Sequence, residues 1–279
     1  MLHKINFYLI VTFISVFAYS CSMVNNVNMF SDADDVQLGK EVVQEINGNS
    51  AEYPIYKGNP AVKQYINDRI FKHILNSSKI TKKGVFNYTI EIVKRDDIMN
   101  AFALPGGHIY IYTGLLKYLD SEAALAGVIA HEIAHAEKRH STQRMTKHYG
   151  ASILIGLVLG NNPSQLAEIV SNLFVGVAFL ANSRADEDEA DAYSFEYLRE
   201  SRYYPGAVKF FFEKMQADNL IQGKSSKIEI FLSTHPDPID RINTINSKLN
   251  SLNIPVLSYK DNGNNIFRAE YKKNIVDKI

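Results

Sequence analysis

The chain has 279 residues, with 30 Lys+Arg against 30 Asp+Glu and a formal net charge of zero. Hydrophobic residues make up 46% and charged residues 22%, which suits a globular chain with a sizeable core and excludes a disordered or collagen-like one. The charge balance lacks the basic excess of a bulk nucleic-acid binder, and a single cysteine excludes a disulfide framework or Cys-rich zinc fold, so metal chemistry must rest on eight histidines and on carboxylates.

Residues 1–20 carry Lys4, no acidic residue, and an apolar run from Ile5 to Tyr19. A short basic start before roughly fifteen apolar residues is the pattern of an export signal, and the run is short for a membrane span of about 20 residues. It ends at Cys21, the sole cysteine, in a setting that resembles a bacterial lipobox, although Ala18 and Tyr19 stand where an aliphatic and a smaller residue are usual. Lipid attachment gives Cys21 a use; the alternative is an ordinary export signal or an uncleaved anchor with an incidental cysteine. Residues 21–30 then read as a polar tether.

Ser31 and the acids after it open a helix to about Asn47, with Gly48 as its stop. Asn59 and Pro60 cap a second helix, in which Val62, Ile66, Ile70 and Ile74 recur at helical spacing. Phe86 to Lys94 alternates as a strand does, and Asn100–Leu104 and His108–Thr113 read as a strand pair joined by Pro105, Gly106 and Gly107. Ser121 caps an Ala-rich helix expected to run through at least His140. Two apolar segments, 150–160 and 166–182, are each too short to span a bilayer and read as buried helices or a hydrophobic lid. Further helices are expected from Arg184 to Glu200, from Pro205, and from Pro238 to about Leu252 as the last. Residues 253–279 are polar with some strand character, of unclear role. The order is α+β and predominantly helical, with one main domain over 31–252.

The chemistry concentrates in His131, Glu132, Ile133, Ala134 and His135. Histidines at i and i+4 lie about 40° apart around a helix and about 6 Å apart along it, so both imidazoles can reach one ion. Glu132 flanks that ion without having to ligate it, which suits a general base acting on metal-activated water. A chance match to this pattern is expected roughly 0.01 times in a chain of this composition. A catalytic zinc takes three protein ligands and keeps one open position. The third candidate lies among the acids between Ser183 and Asp191. Glu187 and Asp191 share a helical face, while Glu189 points about 160° away from Glu187. With Glu187 as ligand, Asp191 sits one turn on, able to accept the other ring N–H of a zinc histidine.

Four blocks in order resemble one family over roughly residues 35–250. They are Asn100–Gly107 leading into Ile109–Leu116; His131–His135; Ser183–Asp191; and Ser233–Pro236 with Arg241 and Ile242. The chain is thereby identified as a member of the zinc metalloendopeptidase family that contains HtpX, the CAAX prenyl proteases, BepA and LoiP, and in layout it is nearest the compact lipoprotein members. The resemblance implies a zincin-like fold with an edge strand before the zinc helix. It implies one Zn2+ per chain held by His131, His135 and Glu187, with Glu132 as base. The strand at Asn100, Ala101, Phe102, Ala103 and Leu104 would hold substrate by pairing with an extended peptide. Tyr203, Tyr204, His235 and Arg241 are candidates to stabilise the oxyanion, and His235 is also a candidate fourth, displaceable ligand.

The expected function is hydrolysis of peptide bonds in unfolded or misassembled envelope proteins, in a periplasm-facing position with a lipid anchor, the outer membrane favoured. The competing expectation is an envelope chaperone or assembly factor with a structural or latent metal site. A third, hydrolysis of a non-peptide amide, is disfavoured by the edge-strand block. Lys138, Arg139, His140, Arg144, Lys147 and His148 read as a solvated basic face, and His140 and His148 as non-ligands. His73 reads as a surface residue; His108 opens a strand near the cleft with no role assigned.

Overall fold

Ser31 starts the first helix by the means its sequence offers. Its hydroxyl accepts from the Asp34 N–H at 3.2 Å while the Asp34 carboxylate accepts from the Ser31 N–H at 2.7 Å, a reciprocal cap. This helix, α1 (Asp32–Gly48), buries Leu38, Val42 and Ile46. The molecule is a computed structural model that describes residues 28–148, 182–221 and 226–279. The export signal, Cys21, the start of the tether and nearly all of the two apolar segments lie outside the described residues. Among the described residues no helix is long and apolar enough to cross a membrane.

Asn59 caps the next helix through the Ala61 N–H, and the helix passes through a π turn at Ile66–Phe71 before ending at Leu75. Val62, Ile66, Ile70 and Ile74 are all fully buried, as their spacing predicts. Three strands follow: β1 (Thr89–Val93), β2 (Ala101–Leu104) and β3 (His108–Tyr112). Their order is β1-β3-β2, with β1 parallel to β3 and β2 antiparallel to it, so β2 is an outer strand. The β2–β3 turn places Gly106 and Gly107 at positive φ, 76° and 97°, which L side chains rarely adopt. Alternation along β3 divides the core: Ile109 and Ile111 join the main cluster, while Tyr110 and Tyr112 join the smaller one built on α1.

The main cluster surrounds the central helix, α2 (Glu122–Lys138), in which every residue but Lys138 is buried. A helix this enclosed needs small side chains. A Cβ on Gly127 would meet the Val208 Cα at 2.6 Å, which fixes how closely the neighbouring helix packs. The expected helix through His140 instead ends at Lys138, because Arg139 turns left-handed at φ 62°. That turn aims the Arg139 guanidinium at α1, where it donates to both Asp35 oxygens at 2.7 and 2.9 Å and to the Phe30 carbonyl at 2.5 Å. A helical stretch over 140–148 follows.

Later in the chain come α3 (Arg184–Arg199), α4 (Val208–Ala217), α5 (Ser226–Thr234), α6 (Pro238–Ser251) and α7 (Arg268–Asn274). Helix α5 was not anticipated, and α6 is not the last. Residues 253–279 form turns and α7 where some strand character was expected. They belong to the core: Ile266, Tyr271 and Ile275 are fully buried. Ile266 and Phe267 also supply carbonyls to the Ala123 and Glu122 N–H groups at 3.1 and 3.4 Å, satisfying the open donors at the start of α2. The fold is thus predominantly helical with one small three-stranded sheet.

Candidate metal centre

Helix α2 presents His131, Glu132 and His135; α3 presents Glu187 and Asp191; His235 follows α5; Arg241 lies on α6. Ligand atoms of His131, His135, Glu187 and His235 all fall within 4.8 Å of one another, and all four residues are buried. The two Nε2 atoms of His131 and His135 are 2.8 Å apart, and each faces Glu187, at 3.4 and 3.2 Å. His235 Nδ1 lies 3.1 and 3.2 Å from the two Glu187 oxygens. Glu132 is 3% exposed, with its Oε1 3.7 Å from His235 Nε2.

These residues fit a divalent cation on two grounds. Two ligands about 2.05 Å from a tetrahedral zinc are about 3.3 Å from each other, close to the separations found here. Charge also favours a cation: Glu132, Glu187 and Asp191 outnumber the guanidiniums of Arg241 and, farther off, Arg144, so with neutral imidazoles the cluster carries a negative surplus. The donor set of imidazole and carboxylate suits zinc among several divalent metals.

The electrostatics divide the histidines. Burial and Arg241 oppose a charge on His131, but Glu187 and Asp191 prevail and push it up to about 9. Burial and the neighbouring His131 drive His135 well below the ordinary imidazole value. Burial pulls Glu187 upward, yet His235, Arg241 and His131 around it hold it well below the usual carboxylate range. Glu132 moves the other way, raised chiefly by burial.

Asp191 lies where its spacing from Glu187 predicts, with Oδ1 2.9 Å from His131 Nδ1. The candidate oxyanion donors separate. The Tyr204 hydroxyl donates to the Pro255 carbonyl at 2.8 Å and accepts from the Leu257 N–H, while the Tyr203 hydroxyl binds the Arg69 carbonyl and Glu122 at the far end of α2. Neither tyrosine joins the cluster, because both anchor other segments. Arg241 does join it, but as a clasp: it donates to Asp191 twice and to Glu187. His235 is the remaining candidate with a nitrogen facing Glu132.

Ala101–Leu104 form the outer strand β2 as expected, packed beside α2, with Asn100 just ahead of the strand and its carbonyl accepting from Tyr112. The basic run is only partly a solvated face. Lys147 and His148 are exposed, but His140 is fully buried, Arg139 pairs with Asp35, and Arg144 donates to Asn182. His73 is exposed, and His108 Nδ1 sits 2.8 Å from the Thr89 hydroxyl. Asn182 was not anticipated: its Nδ2 reaches His235 Nδ1 at 3.4 Å and His135 Nε2 at 3.5 Å. It precedes the helix cap Ser183, and an asparagine there reads as ordinary turn chemistry.

The profile of peptidase family M48 matches residues 60–249, a span that holds the whole ligand ring. The chain belongs to peptidase family M48. It is 27% identical over 227 residues to the mitochondrial metalloendopeptidase OMA1 of Schizosaccharomyces pombe, covering 80% of this chain and 64% of that one. It is 28% identical over 232 residues to the beta-barrel assembly-enhancing protease of Escherichia coli, covering 80% of this chain and 45% of that one. With OMA1 of Arabidopsis thaliana the identity is 35% over 147 residues, 52% of this chain and 28% of that one. This M48 chain therefore spans less than two thirds of the length of the relatives it matches.

Proposed function

We propose that this M48 chain is a zinc-dependent endopeptidase with Glu132 as its general base. The observation that carries the reading is one buried ring of His131, His135 and Glu187 with the carboxylate of Glu132 beside it. A zinc ion held by His131, His135 and Glu187 would supply Lewis acidity and lower the pKa of a nearby water toward about 7. Glu132, raised above the ordinary carboxylate value by burial, would act as the base that takes a proton from the attacking water and returns it to the leaving amine. Asp191 holds His131, and Arg241 holds Asp191.

The substrates in this reading are extended or unfolded envelope proteins. Two things support it: β2 is an outer strand beside α2, suited to pairing with any extended backbone, and one relative is named a beta-barrel assembly-enhancing protease. A periplasm-facing, lipid-anchored location rests on residues 1–21 alone. In this reading His235 is a fourth, displaceable ligand that closes the resting site.

The deciding experiment compares Glu132→Gln with wild type for zinc content and for cleavage of an unfolded protein. Zinc should be retained while the rate falls about 10²- to 10⁴-fold. Equal cleavage by both proteins would sink the assignment. One observation favours the chaperone alternative: His131, Glu132, His135, Glu187 and His235 are each at most 5% exposed, a closed site. Its signature is a wild type that suppresses aggregation as well as Glu132→Gln does and cleaves nothing.

A further inference from the structure

We infer that His140 is a positioning residue for the metal centre: it accepts a hydrogen bond from His135 Nδ1–H, donates its own Nε2–H to Glu189, and so holds His135 in the tautomer that turns a bare Nε2 to the metal. The inference rests on the metallopeptidase reading and extends it outward by two residues.

His135 points Nε2 into the cluster, 2.8 Å from His131 Nε2 and 3.2 Å from Glu187 Oε1. Its other nitrogen, Nδ1, lies 2.7 Å from His140 Nδ1, with the rings 4.9 Å apart and crossed at 72°. Two ring nitrogens at that distance share one hydrogen, one donating and the other accepting. A neutral imidazole that offers an Nε2 lone pair to an ion carries its hydrogen on Nδ1, so His135 is the donor. His140 then accepts at Nδ1, and as a neutral ring it carries its hydrogen on Nε2. That nitrogen lies 3.1 Å from Glu189 Oε2, a carboxylate that only accepts. Reversing the chain would set a bare His140 nitrogen against the Glu189 carboxylate and remove the hydrogen from His135 Nδ1. Only one direction satisfies every group.

The two zinc histidines are therefore supported differently. His131 meets the Asp191 carboxylate directly, in a buried pair. His135 reaches a carboxylate through an intervening imidazole that is fully buried, and Glu189, with its side chain 45% exposed, ends the relay at the surface. The break at Arg139 makes this possible. On an unbroken helix a residue five positions after His135 would be rotated off its face; the left-handed Arg139 turns the chain so that His140 comes back over the ring.

The test uses the full zinc-loaded chain. Imidazole 15N NMR of wild type should show hydrogen on His135 Nδ1 and His140 Nε2. A hydrogen on His140 Nδ1 would overturn the inference without any variant. Zinc affinity, read by competition with a chelating dye, should weaken about ten- to hundredfold in His140→Leu, which removes the acceptor. His140→Asn keeps an acceptor oxygen close to the Nδ1 position and should recover most of the loss. A folded His140→Leu protein that binds zinc within twofold of wild type also overturns it. Failure of wild type to bind zinc would instead remove the metallopeptidase reading, and this inference with it.

Discussion

Arg241 and Asp191 form a two-pronged buried pair, with Nε and Nη2 each 2.7 Å from a different carboxylate oxygen. The same Oδ1 that receives Nη2 also lies 2.9 Å from His131 Nδ1. One carboxylate thus joins a late helix to His131, and Arg241 reaches the same histidine, its Nη2 3.3 Å from His131 Nδ1. Asp191→Ala should weaken zinc binding about ten- to hundredfold, because His131 loses the partner that fixes its tautomer. It also leaves Arg241 with one buried carboxylate fewer. Chelator competition on the folded variant measures the first effect, and affinity equal to wild type would show that Asp191 has no part in holding the site.

Zinc uptake should depend on pH in a direction set by His131. The metal binds neutral imidazole, and His131 is held up to about 9, so below that pH zinc must displace its proton. His135 lies well below the ordinary value and Glu187 well below the carboxylate range, so neither adds a proton to displace near neutrality. Apparent affinity should therefore rise with pH from 6.5 toward 9 and then level, with the His131 proton released as zinc binds. Calorimetry in buffers of different ionisation enthalpy reads that proton directly. A flat profile between pH 6.5 and 8.5 would show that His131 is already neutral.

The residue pairs of the candidate centre stand out in the sequence because their spacings are local. His131 and His135 sit one turn apart on one helix, as do Glu187 and Asp191 on another, and period alone puts each pair on one face. What joins the two helices is tertiary, and sequence reached Glu187 by ligand count and family likeness. The misread features all turn on long-range contacts. Tyr204 reads as available from sequence, but its hydroxyl is taken up between the Pro255 carbonyl and the Leu257 N–H. The basic run looked solvated because nothing nearby in sequence reveals that Arg139 meets Asp35, 104 residues away. Residues 253–279 look polar overall because few apolar side chains enter the core; Phe267, Tyr271 and Ile275 do recur at helical spacing, but over a helix of only seven residues set among polar ones.

Those three residues make the tail part of the fold. Tyr271 is fully buried, and its hydroxyl donates to the Leu116 carbonyl at 2.7 Å. Tyr271→Ala should cost about 3–5 kcal/mol, from lost burial, the cavity and an unpaired carbonyl. Tyr271→Phe keeps the volume and should cost only about 0.5–1.5 kcal/mol for the hydrogen bond. Chemical denaturation of the two variants separates packing from bonding. If both unfold with wild type, the tail does not contribute to the cooperative core.

His235 lies between the two carboxylates on which the proposed chemistry depends. Its Nδ1 is 3.1 Å from Glu187 and its Nε2 is 3.7 Å from Glu132, while its ring stacks on Phe231 at 4.8 Å and 23°. That position is where a fourth ligand would close the centre, and where a substrate carbonyl would have to arrive. Removing the ring opens the site, so His235→Ala should raise cleavage of an unfolded protein, on the order of tenfold where about one molecule in ten is open at rest. Zinc affinity should fall at the same time, because one donor is lost. The two readouts moving in opposite directions distinguish a displaceable ligand from a residue that works in the reaction. A fall in cleavage with zinc fully bound would identify His235 instead as the oxyanion donor and end its role as a gate.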